Sequence, residues 1–126
     1  MPSDESNSNN IRYQKHQQLS PEALAQGQLE AYNNHDIDTF CTFFAADVLV
    51  YDALTKVVLF EGMDAFRKRY TKSFSNPKLH CTLVNRMVHD NIVIDQESVV
   101  GLGEGTVKAI AVYHVKDGMI QEIHFY

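Results

Sequence analysis

The groups in this 126-residue chain that can handle a proton are an aspartate at the end of an apolar strand, six histidines and a set of tyrosines. Asp52 follows the apolar run Val48-Leu49-Val50-Tyr51. A carboxylate at a strand end beside an apolar cavity is open enough to meet a substrate. It is also desolvated enough for its pKa to rise toward that of a useful base. The same residue suits a turn, because an Asp before Ala53-Leu54 can accept hydrogen bonds from the backbone that follows it. The histidines are His16, His35, His80, His89, His114 and His124. A metal site needs two or three of them converging with a carboxylate, and no HxH, HxxxH or HExxH spacing is present, so no metal is expected. Counting back through the Asp117-Gly118 turn places Lys116 opposite Met119, His114 opposite Gln121 and His124 opposite Ala111. That register separates the last two histidines and makes them strand-surface or pocket-wall residues. The remaining acids have plain readings: Asp36 and Asp38 as cap and first-turn residues, Glu104 as part of a glycine turn. Asp95 and Glu97 share a strand face with Val93 and Val99, read as the solvent face or a dimer rim. No GxGxxG loop with a following helix and no Gly-x-Ser-x-Gly elbow is present, so neither a phosphate cradle nor an activated serine is expected.

The elements that must position these groups are legible from periodicity. Ser20-Pro21-Glu22 is an N-cap, first-turn proline and dipole-compatible acid. Leu24, Ala25, Gln28, Leu29, Ala31 and Tyr32 then recur at helical spacing up to Asn33-Asn34. Asp36 caps a short, nearly all-apolar helix carrying Ile37, Phe40, Cys41 and Phe44. The pattern switches to strand at 47–52, with Val57–Phe60 returning as a hairpin. Met63, Phe66, Tyr70 and Phe74 form one stripe of a third helix that Asn76-Pro77 stops. Segments 79–89, 92–102, 106–115 and 119–126 read as strands joined by turn chemistry, with Gly101, Gly103 and Gly105 as the expected source of a bend. Helices followed by a long meander make an α+β domain over residues 20–126, preceded by a flexible polar tail at 1–19.

Composition excludes several classes. Apolar residues are 44% and charged residues 21% of the chain, and the net charge is −5. These values suit a globular domain and leave no basic stripe for nucleic acid. The cluster Arg67, Lys68, Arg69 and Lys72 reads as a solvated helix face. No apolar run approaches a membrane span, and the polar N-terminus lacks a signal-peptide pattern, so a cytoplasmic location and no membrane partner are expected. Cys41 and Cys81 sit within apolar patterns and read as small buried side chains.

Four strings, in order, carry a resemblance to a known superfamily: Tyr32-Asn33-Asn34-His35-Asp36-Ile37-Asp38, Phe44-Ala45-Ala46-Asp47-Val48, Phe60-Glu61-Gly62-Met63-Asp64-Ala65-Phe66 and Lys116-Asp117-Gly118-Met119-Ile120-Gln121-Glu122-Ile123. Over residues 20–126 the chain resembles the nuclear transport factor 2-like superfamily, which includes SnoaL-like and ketosteroid isomerase-like domains. The resemblance implies a cone-shaped fold, three helices packed on a curved mixed or antiparallel sheet around an apolar pocket. It implies a catalytic carboxylate at Asp52, with Gln28 where the isomerases place a helix-1 tyrosine. Their strand aspartate falls near Ala111 or Val112, which cannot donate a hydrogen bond, so the isomerase oxyanion hole is incomplete. Tyr32, Tyr51 or Tyr113 would supply the missing donor, and Phe66 and His114 would join them in the pocket wall. A His–Asp dyad using Asp52 would instead suit dehydratase-like chemistry. The implied function is proton-transfer isomerisation or cyclisation of a small hydrophobic carbonyl compound, without a cofactor, in a homodimer. The alternative is a non-catalytic ligand-binding or dimeric association domain, because this fold hosts both.

Overall fold

The computed structural model describes residues 19–126. The tail expected at 1–19 therefore lies, except for Leu19, outside the described residues. Helix α1 (Pro21–Asn33) starts where Ser20 Oγ accepts a hydrogen bond from Ala23 N at 3.1 Å, which satisfies one of the orphan donors of the first turn. Helix α2 (Ile37–Cys41) is capped in the same way by Asp36. The chain then enters β1 (Phe44–Asp52) three residues earlier than its pattern suggests. There follow β2 (Val57–Glu61), α3 (Met63–Phe74), β3 (His80–His89), β4 (Ile92–Val100), β5 (Thr106–Lys116) and β6 (Met119–Phe125).

All six strands form one sheet in the order β2-β1-β6-β5-β4-β3. The pairs are antiparallel except β1–β6, which is parallel, so the sheet is mixed. The helices cover one face. Leu24, Phe40, Phe44 and Phe66 are fully or almost fully buried there against Val48, Val50, Val93, Ile120 and Ile123. Each such side chain contributes roughly 1.5–3 kcal/mol by leaving water.

Two side chains on the α1–α2 connection fix the helices to β3. The Asn33 amide donates to Cys81 O at 2.9 Å and accepts from Cys81 N at 2.8 Å, so it pairs with an outermost strand as a neighbouring strand would. His35 Nε2 lies 2.7 Å from Leu79 O. The glycines expected to bend a long strand bend the chain just after it. Residues 101–105 form the β4–β5 loop, and Gly101, at φ +92°, passes so close to Leu79 that a Cβ would lie 2.5 Å from its Cα. Register breaks fall within the strands at Leu83/Asn85, Val50/Tyr51 and His114/Val115 of the antiparallel pairs, where bulges increase the twist, and at Phe44/Leu49 of the parallel pair.

The bulge in the β5–β6 hairpin corrects the sequence register. Lys116 does pair with Met119 across the Asp117-Gly118 turn, but Gln121 is the extra residue of the bulge. Its amide is held by Asp47 O and Oδ1 on β1. Beyond it His114 pairs with Glu122 and His124 with Val112, not with Gln121 and Ala111.

Candidate functional site

Between the helices and the sheet lies a cavity of about 360 Å³. Leu29, Phe40, Phe44, Val99, Ile123 and Phe125 supply apolar wall, and the exposed Leu59, Leu102, Val107 and Tyr126 stand where it opens to solvent. Arg69, on the solvated face of α3, and Lys108 bring positive charge to the lining, and the Arg69 guanidinium sits 5.9 Å from the Phe60 ring centre. This volume falls at the lower end of the range for sites that enclose a small molecule.

The polar groups inside are few and connected. β4 alternates so that Val93, Asp95, Glu97 and Val99 face the helices; Asp95 is 0% and Glu97 6% exposed. This overturns the sequence reading of the two acids as a solvent face. Room for them comes from β5, where Ala111 stands opposite Asp95 and Ala109 opposite Glu97. Asp95 is neutralised by Arg86 on β3, whose Nε and Nη2 donate to its two carboxylate oxygens at 2.7 and 2.9 Å, while Nη1 donates to Gln26 Oε1 at 3.0 Å. Glu97 has no such cation. Tyr113 donates its hydroxyl proton to Glu97 Oε2 at 3.3 Å, and Gln28 Nε2 in turn donates to Tyr113 Oη at 3.1 Å and to Ala25 O at 3.0 Å.

Burial, reinforced by the nearby charge of Asp95, pushes the Glu97 carboxyl up to about 7, against the opposing pull of the Tyr113 and Cys81 hydrogen bonds and of Arg86. Burial also raises Tyr113 well above its ordinary value, with Glu97 adding to the effect, so its hydroxyl keeps its proton at neutral pH. Tyr32 and Tyr70 are raised for the same first reason. The Cys81 thiol is pushed up to about 12, again mainly by burial, which leaves it protonated and a poor nucleophile.

Of the catalytic and pocket residues expected from sequence, Gln28, Tyr32 and Tyr113 meet in this cavity, and Asp52, Tyr51, Phe66 and His114 do not line it. Asp52 Oδ1 accepts hydrogen bonds from Leu54 N at 3.0 Å and Thr55 N at 3.1 Å, so its carboxylate closes the β1–β2 turn. Phe66 is core, stacked on Phe40 with ring centres 5.6 Å apart. Tyr51 and His114 belong to the opposite, outer face of the sheet, where His124 stacks on Tyr51 at 4.5 Å and lies 4.7 Å from the His114 ring. Burial and the neighbouring His124 lower the His114 pKa, with Glu122 pulling the other way. The residue that sequence reasoning missed is Glu97. The available signal was the pair of alanines two apart, followed by Tyr113, on the strand that pairs with Asp95-Gln96-Glu97.

A curved mixed sheet with helices over one face, closing on an apolar cavity that holds one uncompensated carboxyl, defines a small α+β pocket domain. The chain belongs to the SnoaL-like domain family, whose model matches residues 25–123. No curated protein sequence matches it significantly. Among solved structures it is similar to an uncharacterised cystatin-fold protein from Novosphingobium aromaticivorans, with a TM-score of 0.79, 20% identity, and 86% of this chain and 98% of that one covered. A protein from Sinorhizobium meliloti provisionally named a polyketide cyclase gives 0.70 at 18% identity over 82% and 93% of the two chains. A provisionally named ketosteroid isomerase from Kribbella flavida gives 0.71 at 16% identity over 83% and 75%. At these identities the likeness establishes the fold. No helix among the described residues is long and apolar enough to cross a membrane.

Proposed function

We propose that this SnoaL-like domain binds a small hydrophobic carbonyl compound in its cavity and that Glu97, rather than Asp52, is the base that removes a proton next to the carbonyl. The observation that carries this reading is a carboxyl held near pKa 7 on the wall of an apolar cavity. A base whose pKa matches neutral pH is the most effective proton acceptor there. Tyr113, kept protonated and accepting from Gln28, supplies a donor for the oxygen on which charge develops once its hydroxyl turns from Glu97 to the substrate. The supporting relatives are the two provisionally named as a cyclase and an isomerase.

The test is exchange of acidic protons of hydrophobic ketones in D2O, read by NMR alongside calorimetric binding of the same compounds. Wild type is expected to bind and exchange, and Glu97→Gln to bind while its exchange falls by about 10²- to 10⁴-fold. Binding without Glu97-dependent exchange would make the domain a non-catalytic ligand-binding module. Absence of binding would remove the pocket reading altogether.

The expected homodimer remains part of the proposal. Met87 and Ile110, 59% and 40% exposed on the outer sheet face, support it as apolar surface that a second copy would cover. Sedimentation equilibrium is expected to give twice the 14.3 kDa chain mass, with Met87→Lys shifting the mass toward that of one chain. A single-chain mass for the wild type would overturn it.

A further inference from the structure

We propose that His114, Glu122 and His124 form a binding site for a divalent transition-metal ion of the zinc class, on the outer face of the sheet and separate from the cavity. The separation follows from strand alternation. Tyr113 and Ile123 point into the cavity, so His114, Glu122 and His124 point the opposite way. The bulge at Gln121 builds the cluster. It moves Glu122 opposite His114 and leaves His124 on the diagonal, so the sequence spacing conceals a convergence that the folded hairpin creates.

The geometry suits an ion. One ligand atom from each of the three residues lies within 4.8 Å of the other two. His124 Nε2 and Glu122 Oε1 are already 2.9 Å apart. Zinc bonds of about 2.0–2.1 Å at tetrahedral angles place ligands about 3.3 Å from one another, so this pair is within a few tenths of an ångström of its spacing, and His114, within 4.8 Å of both, would have to close the remaining gap by side-chain rotation. The Tyr51 ring lies nearly parallel to His124, 15° between planes, and limits its rotation. Glu122 and His124 side chains are 34% and 28% exposed in the single chain, so an ion can enter from solvent before a second copy covers the face, and a water can complete the shell. Two imidazoles and one carboxylate match zinc and its first-row neighbours better than magnesium or calcium, which prefer all-oxygen sites. All three ligands sit on two hydrogen-bonded strands, a more rigid support than a loop.

The plain rival is a hydrogen-bonded Glu122–His124 pair with His114 merely adjacent. Calorimetric titration of the untagged, chelator-treated 126-residue chain with Zn²⁺ separates the two. One ion per chain is expected, with His114→Ala and Glu122→Gln each weakening binding at least about tenfold, as even outer-shell changes at metal sites do. His89→Ala, at an exposed histidine beyond the cluster, is expected to leave binding unchanged. No stoichiometric binding, or binding that neither cluster variant weakens, would overturn the site. Should a variant fail to fold, the wild type decides with Co²⁺. Paramagnetic broadening centred on the His114 and His124 ring resonances supports the site, and broadening centred elsewhere overturns it.

Discussion

Replacing Arg86 by leucine is expected to lower stability at pH 7 by about 3–5 kcal/mol, the usual cost of leaving one member of a buried ion pair without its partner. Arg86 is the only group that meets both Asp95 oxygens among the described residues, and Asp95 is completely enclosed. Removing the guanidinium therefore strands a charge that water cannot reach. Urea unfolding is the measurement, and the midpoint should fall without a change in slope. The double variant Arg86→Leu with Asp95→Leu should recover most of the loss, since an apolar pair of similar volume carries no desolvation penalty. Equal midpoints for Arg86→Leu and wild type would mean that Asp95 is not left as a buried, unpaired charge, and would overturn this expectation. Arg86 also pulls the Glu97 carboxyl down while Asp95 pushes it up. The single variant should consequently raise the Glu97 pKa further, and the double variant should lower it toward the value set by burial and the Tyr113 and Cys81 hydrogen bonds. The ion pair on β3 and β4 thus sets the charge felt by Glu97 as well as joining the two strands.

What the sequence disclosed and what it concealed divide along physical lines. Helix starts were written in local chemistry at Ser20 and Asp36, and both caps form as their side chains dictate. The Asp117-Gly118 turn was equally local, and both residues adopt positive φ. The inward face of β4 was not local. Ile92, Ile94, Val93 and Val99 put apolar residues on both faces, so the alternation could not say which side Asp95 and Glu97 share with the core. That choice is made by partners distant in sequence: Arg86, Tyr113, and the room left by Ala109 and Ala111. The outer-face cluster was hidden for a different reason. A single extra residue at Gln121 changes every pairing beyond it, and the anchor that selects the bulge, Asp47, lies 74 residues away. Asp52 was found at a strand end as expected, but two backbone amides within its own turn occupy its carboxylate.

Glu97→Gln is expected to separate from wild type in a pH-dependent way. The Glu97 carboxyl moves from its ordinary 4.5 to about 7 on folding. Between those values the folded chain holds a proton that the unfolded chain has released, so wild-type stability falls as pH rises through this window and levels off above it. A displacement of that size corresponds to about 3 kcal/mol. Glutamine has the same shape and no charge to desolvate. The variant should therefore match wild type within about 1 kcal/mol at pH 4.5, where Glu97 is protonated in the folded state, and exceed it by about 3 kcal/mol at pH 8. Urea unfolding of both proteins at matched pH values gives the difference curve, in which the other titrating groups cancel. A flat curve would mean that Glu97 titrates like a solvated acid, and the proton-abstraction role would fall with it. If the curve has the expected step, proton exchange by wild type should rise around pH 7, at the upper end of that window, because the ionised carboxylate of the folded chain is the base. Stability then stops falling at the pH where the folded carboxylate ionises and the base becomes available, so the cost of holding this carboxyl in an apolar cavity is fully present where the base is ready.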